Sequence, residues 1–220
     1  MPVIYLSPST QEGNMYVTGG SEEYYMNLIA DAMEPYLIAS GISFTRNTPD
    51  MTAATSIAQS NMGNYDLHLA LHSNATGSGD GSRRGTEVYY FPTSVNGARA
   101  AEIIANNLKL IYPLPNLVRT ISTTSLGEVR RTRAPGVLIE FAYHDNVEDA
   151  DWIKNNIEAI AANVVYSLTE FFGIPFNTPQ NIFTASVATK GSNLNIRKTP
   201  SLSGIVIGRI PNGAEVTVFS

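Results

Sequence analysis

Short apolar runs that favour β-strands alternate with segments of helical periodicity along most of this 220-residue chain. Apolar residues repeat about every 2 positions in a half-buried strand and about every 3.6 in a helix, so the pattern separates the two kinds of element. Strand-like runs lie at 3–7, 42–46, 67–72, 86–91 and 136–141, and helical spacing lies at 22–40, 51–61, 95–111 and 147–172. The alternation predicts an α/β fold with a mainly parallel sheet flanked by helices.

The composition changes after Gly173, where the pattern of alternating strands and helices ends. The stretch IPFNTPQN has no periodicity and reads as a linker. Beyond it, the short β-rich runs TASVAT, LNIRK, GIVIGRI and AEVTVF are separated by turn residues. We therefore predict a core domain over 1–173, a linker over 174–184 and a small all-β module over 185–220.

Charge and composition exclude several classes of function. The net charge is −5 and no basic run is present, which argues against nucleic-acid binding. The segment MPVIYLSPSTQ lacks the charged and apolar parts of a secretory signal, and no apolar run approaches the ~20 residues of a membrane span. We therefore expect synthesis in the cytoplasm without a signal peptide, and no membrane insertion.

A zinc site in this chain must be built without cysteine, because the sequence contains none. The three histidines are His68, His72 and His144, and the first two lie in the segment DLHLALHSNA. That segment is too short for an isolated helix and reads as a strand, in which the two histidines are about 13 Å apart. We predict that they do not ligate one ion together and that His68 is structural.

Polar residues follow several predicted strands at the edge where ligands gather in open α/β sheets. His72 ends one strand, Glu140 lies near the end of the apolar run GVLIEF, and Glu22 and Glu23 begin the first helix. An imidazole and a carboxylate form a partial zinc site, and a second carboxylate can act as a base. The alternative for Glu140 is a structural ion pair with one of three arginines, Arg130, Arg131 or Arg133.

The order of Glu23-x-x-x-Asn27-Leu28, then LHSNA, then PGVLIEFAYHDN resembles the Amidase_3 family over residues 2–172. These are zinc-dependent N-acetylmuramoyl-L-alanine amidases of bacterial autolysins and phage endolysins. The resemblance implies that Glu23 and His72 are zinc ligands and that Glu140 is the general base. It also implies bacterial peptidoglycan as the substrate.

One position departs from that family's pattern. The family carries a first zinc-binding histidine in a D-P-G-H-G-like stretch, and this chain has S-P-S-T-Q, with Thr10 at the histidine position. His144 is our preferred third ligand, and Gln11 would offer only a weak neutral oxygen. The alternatives are a weak site of two protein ligands with waters, or loss of the zinc chemistry. Arg131 is the candidate to bind a carboxylate of the substrate.

The segment SNLNIRKTPSLSGIVIGRIPNGAEVTVF resembles a bacterial SH3-like (SH3b) domain that lacks its last strands. The matching positions are Leu194, Asn195, Ile196, Arg197, Pro200, Gly204, Gly213 and Val216. Such modules commonly bind cell-wall glycan or peptide, so the resemblance implies a wall-binding tail.

The function predicted from these residues is hydrolysis of the amide between N-acetylmuramic acid and the L-alanine of the stem peptide, by zinc-activated water. An endolysin of a phage or prophage fits the expected absence of a signal peptide better than a mature autolysin. The rival is an inactive wall-binding or regulatory protein on an amidase scaffold. A weaker third possibility is a different metal-dependent hydrolase of small amides.

Overall fold

The computed structural model describes residues 1–179, 182–199 and 201–219, and these form two compact units, Met1–Thr178 and Pro179–Ser220. Residue Pro200, part of the SH3-like pattern, lies outside the described residues. No helix in the described ranges is both long enough and apolar enough to cross a membrane.

The first unit contains six strands and six α-helices. The strands are β1 (Val3–Pro8), β2 (Ser43–Arg46), β3 (Leu67–Asn74), β4 (Thr86–Tyr90), β5 (Val118–Ser122) and β6 (Gly136–Tyr143). The helices are α1 (Glu22–Ala39), α2 (Ala53–Met62), α3 (Val95–Leu108), α4 (Gly127–Arg130), α5 (Val147–Asn155) and α6 (Ile157–Phe172).

The six strands form one sheet in the order β2-β1-β3-β6-β4-β5. All neighbouring pairs are parallel except β4 with β6, which is antiparallel. The prediction of an α/β fold with a mainly parallel sheet is therefore confirmed. Since β4 and β5 run opposite to β6, their first residues lie at the carboxyl end of β6, beside the end of β3.

The two faces of the sheet differ in chemistry, and β3 shows why. Leu67, Leu69 and Leu71 point into the main apolar core, which also includes buried residues of α1, α3 and α6. Because successive side chains of a strand alternate between faces, His68 and His72 point to the opposite face. The short helices α2 and α4 cover that face, and a smaller apolar cluster around Ala70, Val129 and Leu138 lies there.

Three elements differ from the sequence-based expectation. The strand β5 and the helix α4 were not predicted, because α4 spans 4 residues, about one turn, and most of β5 is exposed. The long helix predicted over 147–172 is two helices that break at Asn156. Its side-chain amide donates to the carbonyl of Trp152, which satisfies an acceptor at the end of α5.

Among its described residues, the second unit contains two small antiparallel sheets. One pairs β7 (Ile182–Ser186) with β10 (Glu215–Phe219), and the other pairs β8 (Leu194–Arg197) with β9 (Val206–Ile210). Strands and turns thus occupy this segment, as an all-β module requires. Two separate antiparallel strand pairs do not establish an SH3-like barrel, so that assignment stays a prediction.

The residues just after α6 belong to the first unit, although the sequence assigned them to a linker. The ring of Phe176 stacks on Tyr36 at 5.8 Å between centroids and meets Tyr166 edge to face at 5.7 Å. The backbone N–H of Asn177 donates to Ser40 at 3.0 Å. These contacts place the end of the compact unit after Asn177 rather than after Gly173.

We predict that a fragment ending at Thr178 folds and melts at a higher temperature than one ending at Gly173. The shorter fragment loses the apolar contacts of Ile174 and Phe176, and the loss of a largely buried apolar side chain costs about 1.5–3 kcal/mol. Thermal unfolding followed by circular dichroism measures the difference. Equal melting temperatures would show that these contacts contribute nothing, and aggregation of both fragments would show that the first unit needs the second.

Candidate active site

Strand register aligns four polar side chains in a row across the sheet. His72 of β3 is the register partner of Glu140 on β6, Glu140 is the partner of Glu87 on β4, and Glu87 is the partner of Arg119 on β5. Register partners point to the same face of a sheet. The row therefore lies on the face covered by α2 and α4, at the carboxyl end of β3.

His72 is held between two carboxylates. Its Nδ1 lies 2.8 Å from Glu22 Oε1, and its Nε2 lies 3.0 Å from Glu128 Oε2. All three side chains are almost fully buried. Burial opposes a charge on the ring, but the hydrogen bonds to Glu128 and Glu22 raise the pKa of His72 well above its usual value. His72 is therefore an imidazolium that donates to both carboxylates.

Glu128 links the two histidines of β3. Its Oε1 accepts from His68 Nε2 at 3.2 Å and from the hydroxyl of Ser7, while its Oε2 takes His72. The Nδ1 of His68 lies 2.9 Å from the Ser60 hydroxyl. Burial disfavours ionisation of Glu128, but the hydrogen bonds from His68 and His72 outweigh it and lower the pKa. The side chains of His68 and His72 thus both contact Glu128, although the two residues are four positions apart on β3.

Glu22 begins α1 and contacts His72 because the start of this helix is fixed by its cap. Ser21 accepts from the backbone N–H of Tyr24, and Glu22 Oε2 accepts from Asn14 at 2.6 Å. Burial raises the pKa of Glu22, but the hydrogen bond from His72 outweighs that effect, and the net shift is downward. Glu22 is thus ionised beside the imidazolium.

Glu140 has the opposite environment. The residue is partly exposed, but its Oε2 is buried and has no hydrogen-bond partner among the described residues. Burial raises the pKa of Glu140 to about 8, and the charges of Glu22, Glu87 and Glu128 act in the same direction, while His72 opposes them. Glu140 therefore keeps its proton at neutral pH and can release it slightly above.

Glu87, the neighbour of Glu140 in the row, is saturated with donors. Its oxygens accept from the side chains of Arg119, Tyr89 and Asn74, and Arg83 lies 3.8 Å away. Burial raises the pKa of Glu87, but the hydrogen bonds from Tyr89 and Arg119 outweigh that effect, and the net shift is downward. Two adjacent carboxyl groups thus hold different charges.

The structure separates the predicted zinc ligands. Glu23 does not contact His72, since the next residue along the helix points in a different direction and Glu22 takes that place. The Nδ1 of His144 bonds Ser73 instead, at 2.9 Å from its carbonyl oxygen, and the ring stacks on Tyr16. Of the predicted ligands, only His72 is at the centre of the site.

The predicted arginine roles also differ from the contacts observed. Arg131 is exposed, and the structure gives its side chain no hydrogen bond or ion pair within the described ranges. Arg133 bonds Asn61, and Arg130 is exposed at the end of α4. In the described part of the chain none of the three pairs with Glu140, so the proposed structural ion pair of Glu140 is not formed.

The donors around His72 do not fit a zinc ion with three protein ligands. Carboxylates occupy both ring nitrogens of His72, and no cluster of three or more His, Cys, Asp or Glu side chains with metal-binding geometry occurs among the described residues. Thr10 lines a cavity of about 360 Å³ together with His72 and Glu128, and its hydroxyl is a poor zinc ligand. Glu22 and His72 alone would offer two ligands.

Comparison with known proteins settles the family. Residues 8–170 match the Amidase_3 family, described as N-acetylmuramoyl-L-alanine amidase. The chain belongs to this family. Membership supports activity as a peptidoglycan amidase, and it agrees with the α/β sheet and with a polar site at the carboxyl end of β3.

Individual relatives cover different shares of the chain. N-acetylmuramoyl-L-alanine amidase LytC of Bacillus subtilis (strain 168) is 34% identical over 94 residues, which are 42% of this chain and 18% of that relative. The catalytic domain of CwlV, an N-acetylmuramoyl-L-alanine amidase from Bacillus (Paenibacillus) polymyxa var. colistinus, is 18% identical with a TM-score of 0.68, covering 80% of this chain and 100% of that one.

A second structure, N-acetylmuramoyl-L-alanine amidase AmiC2 of Nostoc punctiforme, is 16% identical with a TM-score of 0.67, covering 78% of this chain and 97% of that one. At these identities the two structures show that the fold is shared. They carry no information about which side chains this chain uses.

Three residues of the site were missed by sequence reasoning: Glu87, Arg119 and Glu128. Glu128 lies in LGEVRR, just before the apolar run of β6, where a carboxylate between Leu126 and Val129 is a visible but weak signal. Glu87 sits in the strand-like run TEVYY, and a charged residue inside such a run is costly to bury unless paired. The cost of burying a carboxylate inside an apolar run applies to Glu87 in TEVYY as it does to Glu140 in GVLIEF.

We predict that Glu140→Gln becomes increasingly stable relative to the parent chain as pH rises from about 4.5 to 8. In that range Glu140 is ionised in the unfolded chain, where its ordinary value is 4.5, but protonated in the folded one. The folded state then binds more protons, so the parent loses at most about 1.4 kcal/mol per pH unit, whereas glutamine does not titrate. Urea unfolding at several pH values measures this difference.

The matched control is Glu102→Gln, which removes an exposed carboxylate from α3. Its difference from the parent should stay flat across the same pH range. A flat difference for Glu140→Gln as well would contradict a raised pKa at Glu140.

Proposed function

We propose that this chain hydrolyses the amide between N-acetylmuramic acid and the L-alanine of the stem peptide in bacterial peptidoglycan, with Glu140 as the proton-transfer group. Family membership supports the reaction class. The observation that carries the role of Glu140 is its buried Oε2, which has no hydrogen-bond partner in the described part of the chain and lies in the row with His72, at the edge where α/β folds bind ligands.

Amide hydrolysis requires a proton to be taken from the attacking water and one to be given to the leaving amine. A carboxyl group whose pKa is about 8 is available in both forms near neutral pH, which is the condition for efficient general acid–base catalysis. Glu87 and Glu22 lack this property, because donors hold them in the ionised form. Among these carboxyl groups, Glu140 is the one suited to exchange a proton during the reaction.

Zinc activation is what the family resemblance implies. A bound zinc would polarise the scissile carbonyl and lower the pKa of water. The donors around His72 in this chain do not fit a three-ligand site, so we assign no step to a metal. The proposal for this chain rests on Glu140 and on the family, and it leaves His72 bound to its two carboxylates.

Wall attachment by residues 185–220 and action on the cell wall, as in an endolysin or autolysin, are part of the same proposal. They rest on the sequence resemblance of the second unit to SH3-like modules. The rival, an inactive wall-binding or regulatory protein, is not favoured by the comparisons. It is the outcome that failure of the next experiment would support.

We predict that Glu140→Gln lowers amide cleavage at least about 100-fold, the low end of what general acid–base catalysis contributes. Glutamine keeps the size of the side chain and removes the titrating proton. Release of alanine amino groups from purified peptidoglycan measures turnover. Glu102→Gln, which removes an exposed carboxylate from α3, serves as the comparison and should retain activity.

Turnover by Glu140→Gln near that of the parent chain would remove Glu140 from the mechanism. No turnover by the parent chain itself, on walls that other family members cleave, would favour the wall-binding scaffold.

We predict that the parent chain, dialysed against micromolar zinc, retains much less than one zinc per chain, and that Thr10→His raises zinc affinity. The new imidazole lies on the wall of the cavity that also exposes His72 and Glu128. Ala53→His adds an imidazole elsewhere in that cavity and is the matched control. Metal content by mass spectrometry gives the stoichiometry. A full zinc equivalent in the parent, lost in His72→Ala, would contradict this prediction.

A further inference from the structure

Two exposed arginines stand at the end of the row, beyond Glu140. The side chains of Arg83 and Arg119 are 55% and 56% exposed, and both lie at Glu87. Glu87 itself is buried, and Asn74 and Tyr89 complete its hydrogen bonds. One buried carboxylate thus positions two guanidinium groups, which leaves a net positive charge at the surface.

The two arginines have N–H groups that make no hydrogen bond to any residue the structure describes. Arg119 directs its Nε and Nη2 at Glu87, so its remaining donors are free for solvent. Arg83 stands over the ring of Tyr143 at 5.4 Å, and its side chain has no hydrogen bond in the part of the chain that the structure describes. A guanidinium presents five N–H donors in a planar fork that matches a carboxylate. Free donors held in place by an aromatic ring and a buried anion form a receptive site for an anion.

The position of the pair relative to Glu140 sets a distance. Arg119 lies two strands away from Glu140 through Glu87, which is about 10 Å at about 4.8 Å between strands. An extended peptide advances about 3.3–3.6 Å per residue. Consider a peptide that is cleaved at its first amide beside Glu140 and runs across β4. A group about three residues beyond that amide then reaches the two arginines.

We propose that Arg83 and Arg119 form a subsite for a free carboxylate of the stem peptide, located about three residues from the scissile amide. The proposal rests on the proposed amidase function, because it takes Glu140 as the reacting position. It assigns substrate recognition to this pair instead of the sequence-predicted Arg131, which is exposed and is not part of the row. The lactyl carboxyl group of N-acetylmuramic acid is part of the scissile amide, so the glycan side of the substrate has no free carboxylate at the corresponding distance.

Binding and cleavage are measured separately to test this subsite. The probe is a soluble N-acetylmuramoyl tripeptide in two forms, with its peptide carboxylates free or amidated. Calorimetric binding uses the full chain carrying Glu140→Gln, so that the ligand stays intact. Arg83→Ala removes one fork, and Arg119→Lys keeps the charge beside Glu87 but removes the planar fork.

Each of these two changes should weaken binding of the free-carboxylate probe about tenfold, the loss of one charge-assisted hydrogen bond, and leave the amidated probe unaffected. The matched control is Arg99→Ala. Arg99 is exposed and lines a cavity with Met1 and Pro2, the residues that precede β1, so its replacement should not change the binding of either probe. In cleavage by the chain with Glu140 intact, the same variants should raise KM for the free form and keep kcat.

Equal weakening for both probes, no weakening, or no detectable binding of either probe would overturn the subsite. A selective loss in Arg131→Ala alone would assign recognition to Arg131 and also overturn it. Failure of the proposed function is a different result: the intact chain would cleave neither probe, while the Glu140→Gln chain could still bind the free form in an Arg83- and Arg119-dependent manner, which supports the subsite.

Discussion

The parallel pairing of β3 with β6 is the constraint on which the site depends. It places His72 beside Glu140, and the antiparallel step from β6 to β4 then adds Glu87 from a strand that begins where β6 ends. A slip of one residue in either pair would turn the affected side chains to the opposite face, into the apolar core. The leucines of β3 prevent this, since Leu67, Leu69 and Leu71 are fully buried on that side. The hydrophobic face of the sheet thus fixes the chemistry of the polar face.

The sequence predicted the parts of this arrangement that follow from periodicity. The runs that became β3 and β6 were found, and the alternation of elements led to the correct fold class. The sequence could not indicate that Glu22 is the residue in contact with His72, because adjacent residues of a first helical turn point about 100° apart. Only the cap at Ser21 and the packing of α1 fix which of Glu22 and Glu23 faces that ring. The role of Glu128 was not predicted, because a helix of four residues is too short to show a periodic pattern.

The carboxylate of Glu128 explains why two histidines on one strand can act together. Their spacing along β3 argues against a shared ion, and no contact joins the two rings directly in the described part of the chain. Each ring instead directs its Nε2 at a different oxygen of Glu128. With Glu22 on the far nitrogen, His72 has one buried negative partner on each side, which stabilises the imidazolium. A ring that is protonated on both nitrogens has no lone pair to offer a metal. Thr10 at the family's histidine position, the two carboxylate partners of His72, and the lack of a third ligand among the described residues are thus consistent features of one site.

The contrast between Glu87 and Glu140 shows how neighbouring carboxyl groups acquire different functions. Both are glutamates, on paired positions of β4 and β6, and burial raises the pKa of both. Glu87 receives hydrogen bonds from Arg119, Tyr89 and Asn74, so its anion is stabilised and it acts as a fixed charge. Glu140 has a buried oxygen that receives no hydrogen bond from the described residues, and it lies near the negative charges of Glu22, Glu87 and Glu128. Groups whose environments separate their pKa values in this way divide acid–base and electrostatic roles between them. Because the hydrogen-bond donors bind Glu87 and not Glu140, Glu140 can exchange a proton. Glu87 stays ionised and holds the arginines in place.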